Sequence, residues 1–337
     1  MTLALPAGLP QARAAIDGPL RAAVARLAPS LQAVAAHHFG WRCVDGRPAA
    51  ETGKALRPAL ALLAARAAGA PECAATRAAV AVELVHNFSL LHDDLMDGDR
   101  TRHHRPTAWA AFGPARAVLA GDALLALAAE LALELPDGAA LAVDRCLTEA
   151  TAALIGGQAE DLAFEDRTDV TVAEYLAMAG RKTGALLVCA LRAGALSGSA
   201  GMALAESLGA FGAHLGLAFQ LTDDLLGIWG DPAVTGKPPM SDLRTRKKSG
   251  PVVAALRSRT PSGDRLAELL GRGPLTGDGD LRRAALLVER AGGREWAAAE
   301  ADRRLHLALD RLSAAAVPVD VHEELTDIAC FVTARRR

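Results

Sequence analysis

The sequence predicts an all-α fold, and three observations carry that prediction. Hydrophobic residues, alanine foremost, make up 51% of the 337 positions and aromatic residues only 4%. Runs of alternating polarity are few, which argues against strands. Two acidic pairs, in LLHDDLMD and FQLTDDLL, interrupt apolar runs of helical spacing more than a hundred residues apart. No polar linker divides the chain, so residues 21–337 are expected to form a single all-α domain behind a loosely ordered N-terminus over residues 1–20.

Taken in order, a first helix is expected around Pro19 to Phe39, ending in HHFGW. His37 and His38 are adjacent and so fall on different helix faces, which suits a surface or packing role better than metal ligation. ETGKALRPALALLAARAAG follows. Gly53 begins a turn, Lys54 and Arg57 stand three apart, and Pro58 lies near a helix start where proline is tolerated. Basic groups beside helix N-terminal amides form an anion site, so this segment is read as a diphosphate hook, with ordinary surface charge as the alternative. The next helix runs from about Ala74 to Asp97. After Gly98 come Arg100, Arg102, His103, His104 and Arg105, a donor cluster in which arginine suits phosphate.

Helices near Arg116–Leu135 and Ala140–Ala163 are separated by LPDG, a turn signal. Gly156, Gly157, Gln158 and Asp161 interrupt the second of them, which indicates close helix packing or room for a ligand. TVAEYLAMAGRKTGALLVCALRAGAL opens with a capping box, Thr171 and Glu174. Lys182 and Thr183 lie in its apolar middle, where a lysine either snorkels outward or points into a polar cavity. A helix from about Ala203 to Gly230 carries Asp223 and Asp224. It ends at GDPAVTGKPPMSDLRTRKKSGPVV, a basic segment containing Lys237 and Lys247, read either as a surface loop or as a lid that brings cations over a diphosphate and sheds water. Pro251 to Arg337 is read as structural helices.

Formal charge of -2 argues against nucleic acid as a partner. Five cysteines without paired or metal-type spacing read as reduced. No basic segment with a long apolar core opens the chain, and no uncharged apolar run reaches the roughly 20 residues that span a bilayer. A cytoplasmic protein without a transmembrane segment is expected.

Chemistry concentrates in ELVHNFSLLHDDLMDGDRTRHHRPT. At about 100° per residue, His86, Leu90, Asp93 and Asp97 fall within roughly 60° of arc, while Leu84, Val85 and Leu91 lie on other faces. The wheel leaves the facing of Phe88 undecided. Two like charges one turn apart repel, and a hard divalent cation offsets that. Carboxylate oxygens suit Mg²⁺, which is commonly shared between one or two carboxylates and substrate phosphates. The second acidic pair suggests the facing wall of one metal-diphosphate cavity.

The segments GKALRP (53–58), LVHNFSLLHDDLMD (84–97), RHHRPT (102–107), GQAEDL (157–162), KTGAL (182–186), FQLTDD (219–224), GDPAVTGKP (230–238) and SDLRTRKKSGP (241–251) together resemble the trans-isoprenyl diphosphate synthases of the polyprenyl synthetase family, bacterial geranylgeranyl diphosphate synthases among them. The resemblance implies helices around a deep central cavity, usually in a homodimer. It implies that Asp93 and Asp97 bind Mg²⁺ on an allylic diphosphate and that Asp223 binds another Mg²⁺. Arg102, Lys182, Lys237 and Lys247 would clasp that diphosphate, while Lys54, Arg57 and His86 would hold isopentenyl diphosphate. Thr183 and Gln220 would offer dipoles near an allylic cation. Phe88, five residues before the first aspartate, would set the pocket floor, beside the smaller Ser89. That pattern resembles synthases making geranylgeranyl diphosphate from a dimethylallyl, geranyl or farnesyl primer, with farnesyl and geranylfarnesyl products as alternatives.

Three positions depart from the family pattern. His103 stands where a second arginine usually grips isopentenyl diphosphate. Gly227 replaces the aspartate that usually ends the second acidic motif, with Asp231 one turn later as a partial substitute. Arg246 replaces a glycine before Lys247. A class I terpene cyclase or irregular coupling enzyme is an alternative, opposed by Lys54, Arg57 and His86. A non-catalytic modulating subunit is another, opposed by the persistence of both acidic pairs.

Overall fold

The structure, a computed structural model, describes residues 5–47, 53, 55–199, 201–231, 240–275 and 277–334. Lys54 and Lys237 lie outside the described residues, as does most of the GDPAVTGKP segment. Contacts divide the chain into two compact units. The first comprises Met1–Thr151, Cys189–Gly209 and Ala315–Ile328, and the second Ala152–Val188, Ala210–Ala314 and Ala329–Arg337.

In the first unit, α1 (Gly8–Val24) and α2 (Pro29–His38) replace the single helix expected from Pro19 to Phe39. The N-terminal residues are therefore helical from Gly8 onward, a correction to the loose N-terminus. Leu9, Ala12, Ile16 and Leu20 form one buried stripe along α1, and burying three large aliphatic side chains outweighs the lost donor of Pro19 inside the helix. Pro29 takes the first turn of α2, where its missing N–H is harmless. Next come α3 (Leu56–Ala67) and α4 (Thr76–Met96), the latter close to the boundaries expected for it. A two-residue hairpin pairs β1 (Thr101–Arg102) with β2 (Arg105–Pro106), Arg102 opposite Arg105. The short α5 (Ala108–Phe112) and then α6 (Pro114–Leu133) follow.

Helix α7 (Asp137–Glu165) belongs to the first unit as far as Thr151 and to the second thereafter. In the second unit α8 (Val172–Ala179) begins with the expected capping box: Glu174 N–H donates to Thr171 Oγ1 at 3.2 Å and Thr171 N–H to Glu174 Oε2 at 2.8 Å. The helix expected to run on from there is broken by one π-helical turn, Gly180–Gly184, before α9 (Ala185–Ser197). Such single-turn bulges often mark functional sites. Helix α10 (Met202–Trp229) carries the second acidic pair. Further helices at Gly250–Leu256, Asp278–Arg290 and Gly293–Ser313 supply the second unit's core, in which Tyr175, Leu221, Val253, Ala297 and Ala301 pack together.

Among the described residues, α10 is long and apolar enough to cross a membrane by length and composition. Within it, Gln220 donates to Asp224 and Asp224 accepts from Tyr175 and Gly250, as a core helix does. No disulfide joins the five cysteines among the described residues.

Small residues let helices approach closely. A Cβ on Gly194 of α9 would lie 2.0 Å from the Ala61 carbonyl oxygen of α3, in the first unit. On Gly18, exposed in α1, a Cβ would meet nothing within 4 Å. Alanine is the better helix former at both positions, yet the two substitutions should have opposite signs. Gly18→Ala should raise unfolding free energy by up to about 1 kcal/mol, whereas Gly194→Ala should lower it by about 1–3 kcal/mol through forced separation of two backbones. Denaturant melts of both variants check this, and a stabilised Gly194→Ala would contradict the contact.

Candidate active site

In the first unit the chemistry gathers at the end of α4. Val82, Leu84, Val85 and Leu91 are 0–1% exposed, whereas His86, Leu90 and Asp93 are half-buried and Asp97 is exposed. The polar stripe read from the helical wheel therefore exists. Asp97 caps the helix, its N–H donating to the Asp93 carbonyl at 2.8 Å.

Sequence reasoning missed the part played by Asp94. One residue on from Asp93 it turns inward, 2% exposed, and its Oδ1 accepts from Arg102 Nε at 2.7 Å with Nη2 also at 2.7 Å. Burial pushes the Asp94 pKa up against the pull of Arg102, and the same pair raises the Arg102 pKa although burial opposes it. The adjacent acids thus divide the work: Asp93 stays accessible while Asp94 anchors a guanidinium. A 100° step per residue on a half-buried helix is the signal that separates them.

Arg102 is positioned by the hairpin. His103 and His104 form its two-residue turn with φ of 49° and 60°. Two-residue hairpins demand this left-handed backbone and normally use Asn or Gly for it. A small cleft beside the turn is lined by His38, Asp94, Arg102, His103 and Arg105. Arg105 reaches back from the hairpin to donate to the His37 and His38 carbonyls at the end of α2.

Arg57 opens α3. Burial lowers its pKa to about 10, with Glu83 of α4 opposing, so it remains a cation at neutral pH. Its Nε is buried with no hydrogen-bond partner among the described residues, a donor awaiting an acceptor. His86 is held neutral by burial and by the nearby Arg57 and Arg102 charges. Phe88, whose facing the sequence left open, is buried and meets His92 edge-on at 4.8 Å between centroids. Ser89 is buried as well.

In the second unit the π turn presents Lys182 and Thr183. Lys182 Nζ stands 2.5 Å from Asp161 Oδ2, and Lys247 Nζ 3.6 Å from the same oxygen. Lys182 therefore points into a polar cleft rather than outward. The glycines of α7 have a cause at Gly157, where a Cβ would lie 2.5 Å from the Lys182 backbone nitrogen. Thr183 Oγ1 donates to Gln220 Oε1 at 2.5 Å, and Gln220 Nε2 to Asp224 Oδ1 at 2.7 Å. Asp224 Oδ2 accepts from Tyr175 Oη and from Gly250 N–H, each at 2.6 Å. Burial, and then the Asp242 charge, push the Asp224 pKa up to about 7. Asp223, its neighbour, is exposed on α10. The division seen at Asp93 and Asp94 is repeated.

Two departures acquire physical meaning here. A Cβ on Gly227 would lie 2.3–2.5 Å from the carboxylate atoms of Asp242, so glycine is required for that carboxylate to approach α10. Asp242 is the acid brought against position 227. Arg246 has φ of 59°, the left-handed conformation for which glycine is the natural residue.

Among the described residues no three His, Cys, Asp or Glu side chains form a metal cage. The accessible acids nonetheless fit Mg²⁺, which demands few protein carboxylates and takes its remaining ligands from water and phosphate.

Acid sensitivity follows from His38. Burial, and then Arg102, lower its pKa from the ordinary 6.5 to about 3. A depressed native pKa means that stability is present above 6.5 and is lost as pH falls toward 3, because the unfolded chain takes up the proton first. In His38→Gln the dependence of unfolding free energy on pH between 6.5 and 4 should become shallower, by up to about 1.4 kcal/mol per pH unit. Urea titrations at several pH values measure it, and an unchanged slope would contradict the neutral buried imidazole.

Residues 48–325 match a family model described as Polyprenyl synthetase. The (2E,6E)-farnesyl diphosphate synthase of Mycobacterium tuberculosis (strain ATCC 25618 / H37Rv) is 48% identical over 321 residues, spanning 94% of this chain and 89% of that one. The geranylgeranyl diphosphate synthase of the same organism is 44% identical over 306 residues, spanning 90% and 87%. A crystal structure of polyprenyl synthetase from Streptomyces coelicolor A3(2) matches with a TM-score of 0.93 at 50% identity, covering 98% of this chain and 99% of that chain. With its helical fold and acid-bearing helices accounted for, and a family model spanning most of its length, the chain belongs to the polyprenyl synthetase family and is a prenyltransferase that carries out prenyl chain elongation.

Proposed function

We propose that this enzyme extends an allylic diphosphate with isopentenyl diphosphate and stops at geranylgeranyl diphosphate. The observation that carries the reading is the accessible Asp93 and Asp97 pair beside Arg102, whose guanidinium is fixed by buried Asp94. Asp93 and Asp97 would hold Mg²⁺ on the allylic diphosphate, and Asp223 a further Mg²⁺. When bound, the metal supplies charge neutralisation that makes diphosphate a better leaving group. Arg102, Lys182 and Lys247, with Lys237 from outside the described residues, clasp the diphosphate and stabilise the charge that develops on it as the carbon–oxygen bond breaks.

Arg57, His86 and Lys54 hold isopentenyl diphosphate, whose double bond attacks the allylic C1. Arg57 keeps its charge at neutral pH, and its unpartnered Nε is suited to a phosphate oxygen. His103 is the weaker member of this group, since an imidazole titrates near neutrality and an arginine does not. Thr183 and Gln220 offer dipoles to the allylic cation. Proton loss from the new chain then restores a double bond, with the departing diphosphate as a base.

Phe88 is proposed as the floor that limits chain length. Its burial and edge-on contact with His92 support a fixed ring rather than a mobile one. The relatives include both farnesyl and geranylgeranyl synthases, so product length is the finer point to be tested. A homodimer is proposed too, supported by three large apolar side chains exposed on α6 and α7, namely Leu119 at 56%, Leu133 at 61% and Leu141 at 68%.

Purified protein should be incubated with Mg²⁺, isopentenyl diphosphate and, separately, dimethylallyl, geranyl or farnesyl diphosphate, and the dephosphorylated products chromatographed. A linear twenty-carbon alcohol is expected. A fifteen-carbon endpoint would assign a farnesyl product, and a hydrocarbon formed without consuming isopentenyl diphosphate would favour a cyclase. No turnover and no binding of an allylic diphosphate analogue with Mg²⁺ would favour a modulating subunit.

Two substitutions probe the residues. Phe88→Ala should shift the endpoint to longer chains. Asp93→Asn should cut kcat by roughly 10²–10³-fold, the scale of losing one preorganised electrostatic group, with thermal stability retained. An unchanged product distribution or an unchanged kcat would remove the respective assignment.

A further inference from the structure

Lys182 and Lys247 reach one place from distant parts of the chain. Lys182 sits on the π turn over Gly180–Gly184, and Lys247 follows the short helix Ser241–Arg244. Both ammonium groups lie against a single atom, Asp161 Oδ2, at 2.5 and 3.6 Å. That leaves them within about 6 Å of each other, a separation at which two cations repel unless an anion stands between them.

Asp161 is built to be that anion. It is 6% exposed, on α7, about one turn beyond Gly157. The absence of a side chain on Gly157 admits the Lys182 backbone, and the carboxylate one turn later receives the Lys182 ammonium. Its other oxygen, Oδ1, is buried with no hydrogen-bond partner among the described residues. The same cleft is lined by Gln220 and Asp224.

We propose that Asp161 is a positioning residue, a shared carboxylate anchor that sets the spacing and aim of Lys182 and Lys247 toward the diphosphate. The proposal rests on the reading that these two lysines clasp that group. Asp161 itself makes no contact with substrate. Its role is to hold two like charges in one geometry, which diphosphate departure then exploits.

The test uses the full chain with Asp161→Asn, Asp161→Glu, Lys182→Ala and Lys247→Ala. Binding of inorganic diphosphate with Mg²⁺ is measured by calorimetry, kcat by steady-state assay, and folding by thermal melts. Each lysine variant should bind inorganic diphosphate roughly 10-fold more weakly, the scale of one charged hydrogen bond. Asp161→Asn should bind it as tightly as the parent or more tightly, because the cleft gains one net positive charge, while kcat falls by roughly 10²-fold from misaligned lysines. Asp161→Glu, which keeps the charge, should recover part of that loss, and it decides the matter if Asp161→Asn does not fold. Unchanged kcat in the Asp161 variants, or a kcat loss that follows a fall in melting temperature, overturns the proposal while the lysine reading stands. Diphosphate binding unaffected by both lysine variants overturns the lysine reading and the proposal together.

Discussion

A cation that must meet a diphosphate cannot be left to swing in solvent, and here the proposed cations are tied to carboxylates that have themselves given up water. Asp94 holds Arg102, and Asp161 holds Lys182 and Lys247. Glu83 lends its charge to Arg57. A buried carboxylate left alone would be costly, and so would a buried cation. Paired, each fixes the other, and a guanidinium or ammonium is held in orientation before substrate arrives. This preorganisation is the form in which a protein stabilises charge at little reorganisation cost.

The pairing explains why acids come two at a time. In both motifs the two adjacent carboxylates project about 100° apart, so one remains accessible while the other enters the core. Asp94 and Asp224 are 2% and 3% exposed, and each is paired with a group from another element, Arg102 in one case and Tyr175 with the Gly250 amide in the other. The accessible partner, Asp93 or Asp223, keeps contact with solvent and is suited to metal. Packing makes the same economy possible. Gly157 and Gly216 bring backbones together at the π turn, a Cβ on Gly216 falling 2.5 Å from Gly184 Cα.

Backbone strain collects on the motif-bearing loops. Ala55 precedes α3 with φ of 50°, His103 and His104 occupy the hairpin turn, and Arg246 stands before Lys247 at 59°. Non-glycine residues in this conformation carry a penalty that surrounding structure must over-determine. At the hairpin that structure is the Asp94–Arg102 pair, the Arg105 bonds to α2, and the Thr107 hydroxyl and Trp109 indole donating to the Asp99 carbonyl. The left-handed turn is thus held by contacts on both sides of it, to the end of α4 and to α2.

Much was legible in the residues alone. The helical class, the boundaries of α4, the capping box of α8 and the stripe of Asp93 and Asp97 follow from periodicity and local hydrogen bonding, which act within one or two turns of chain. The ordered motifs carried the family. Helix α1 was misread because proline is a strong local signal, and the long-range burial of Leu9, Ile16 and Leu20 overrode it. The anchors Asp94 and Asp161, the approach of Asp242 to Gly227, the π turn at Lys182 and the left-handed His103 and His104 were decided by tertiary structure. Each carboxylate depends on a partner beyond the reach of local periodicity, eight residues away for Asp94 and farther for Asp161 and Asp242, and its sequence neighbours do not record which group it will meet.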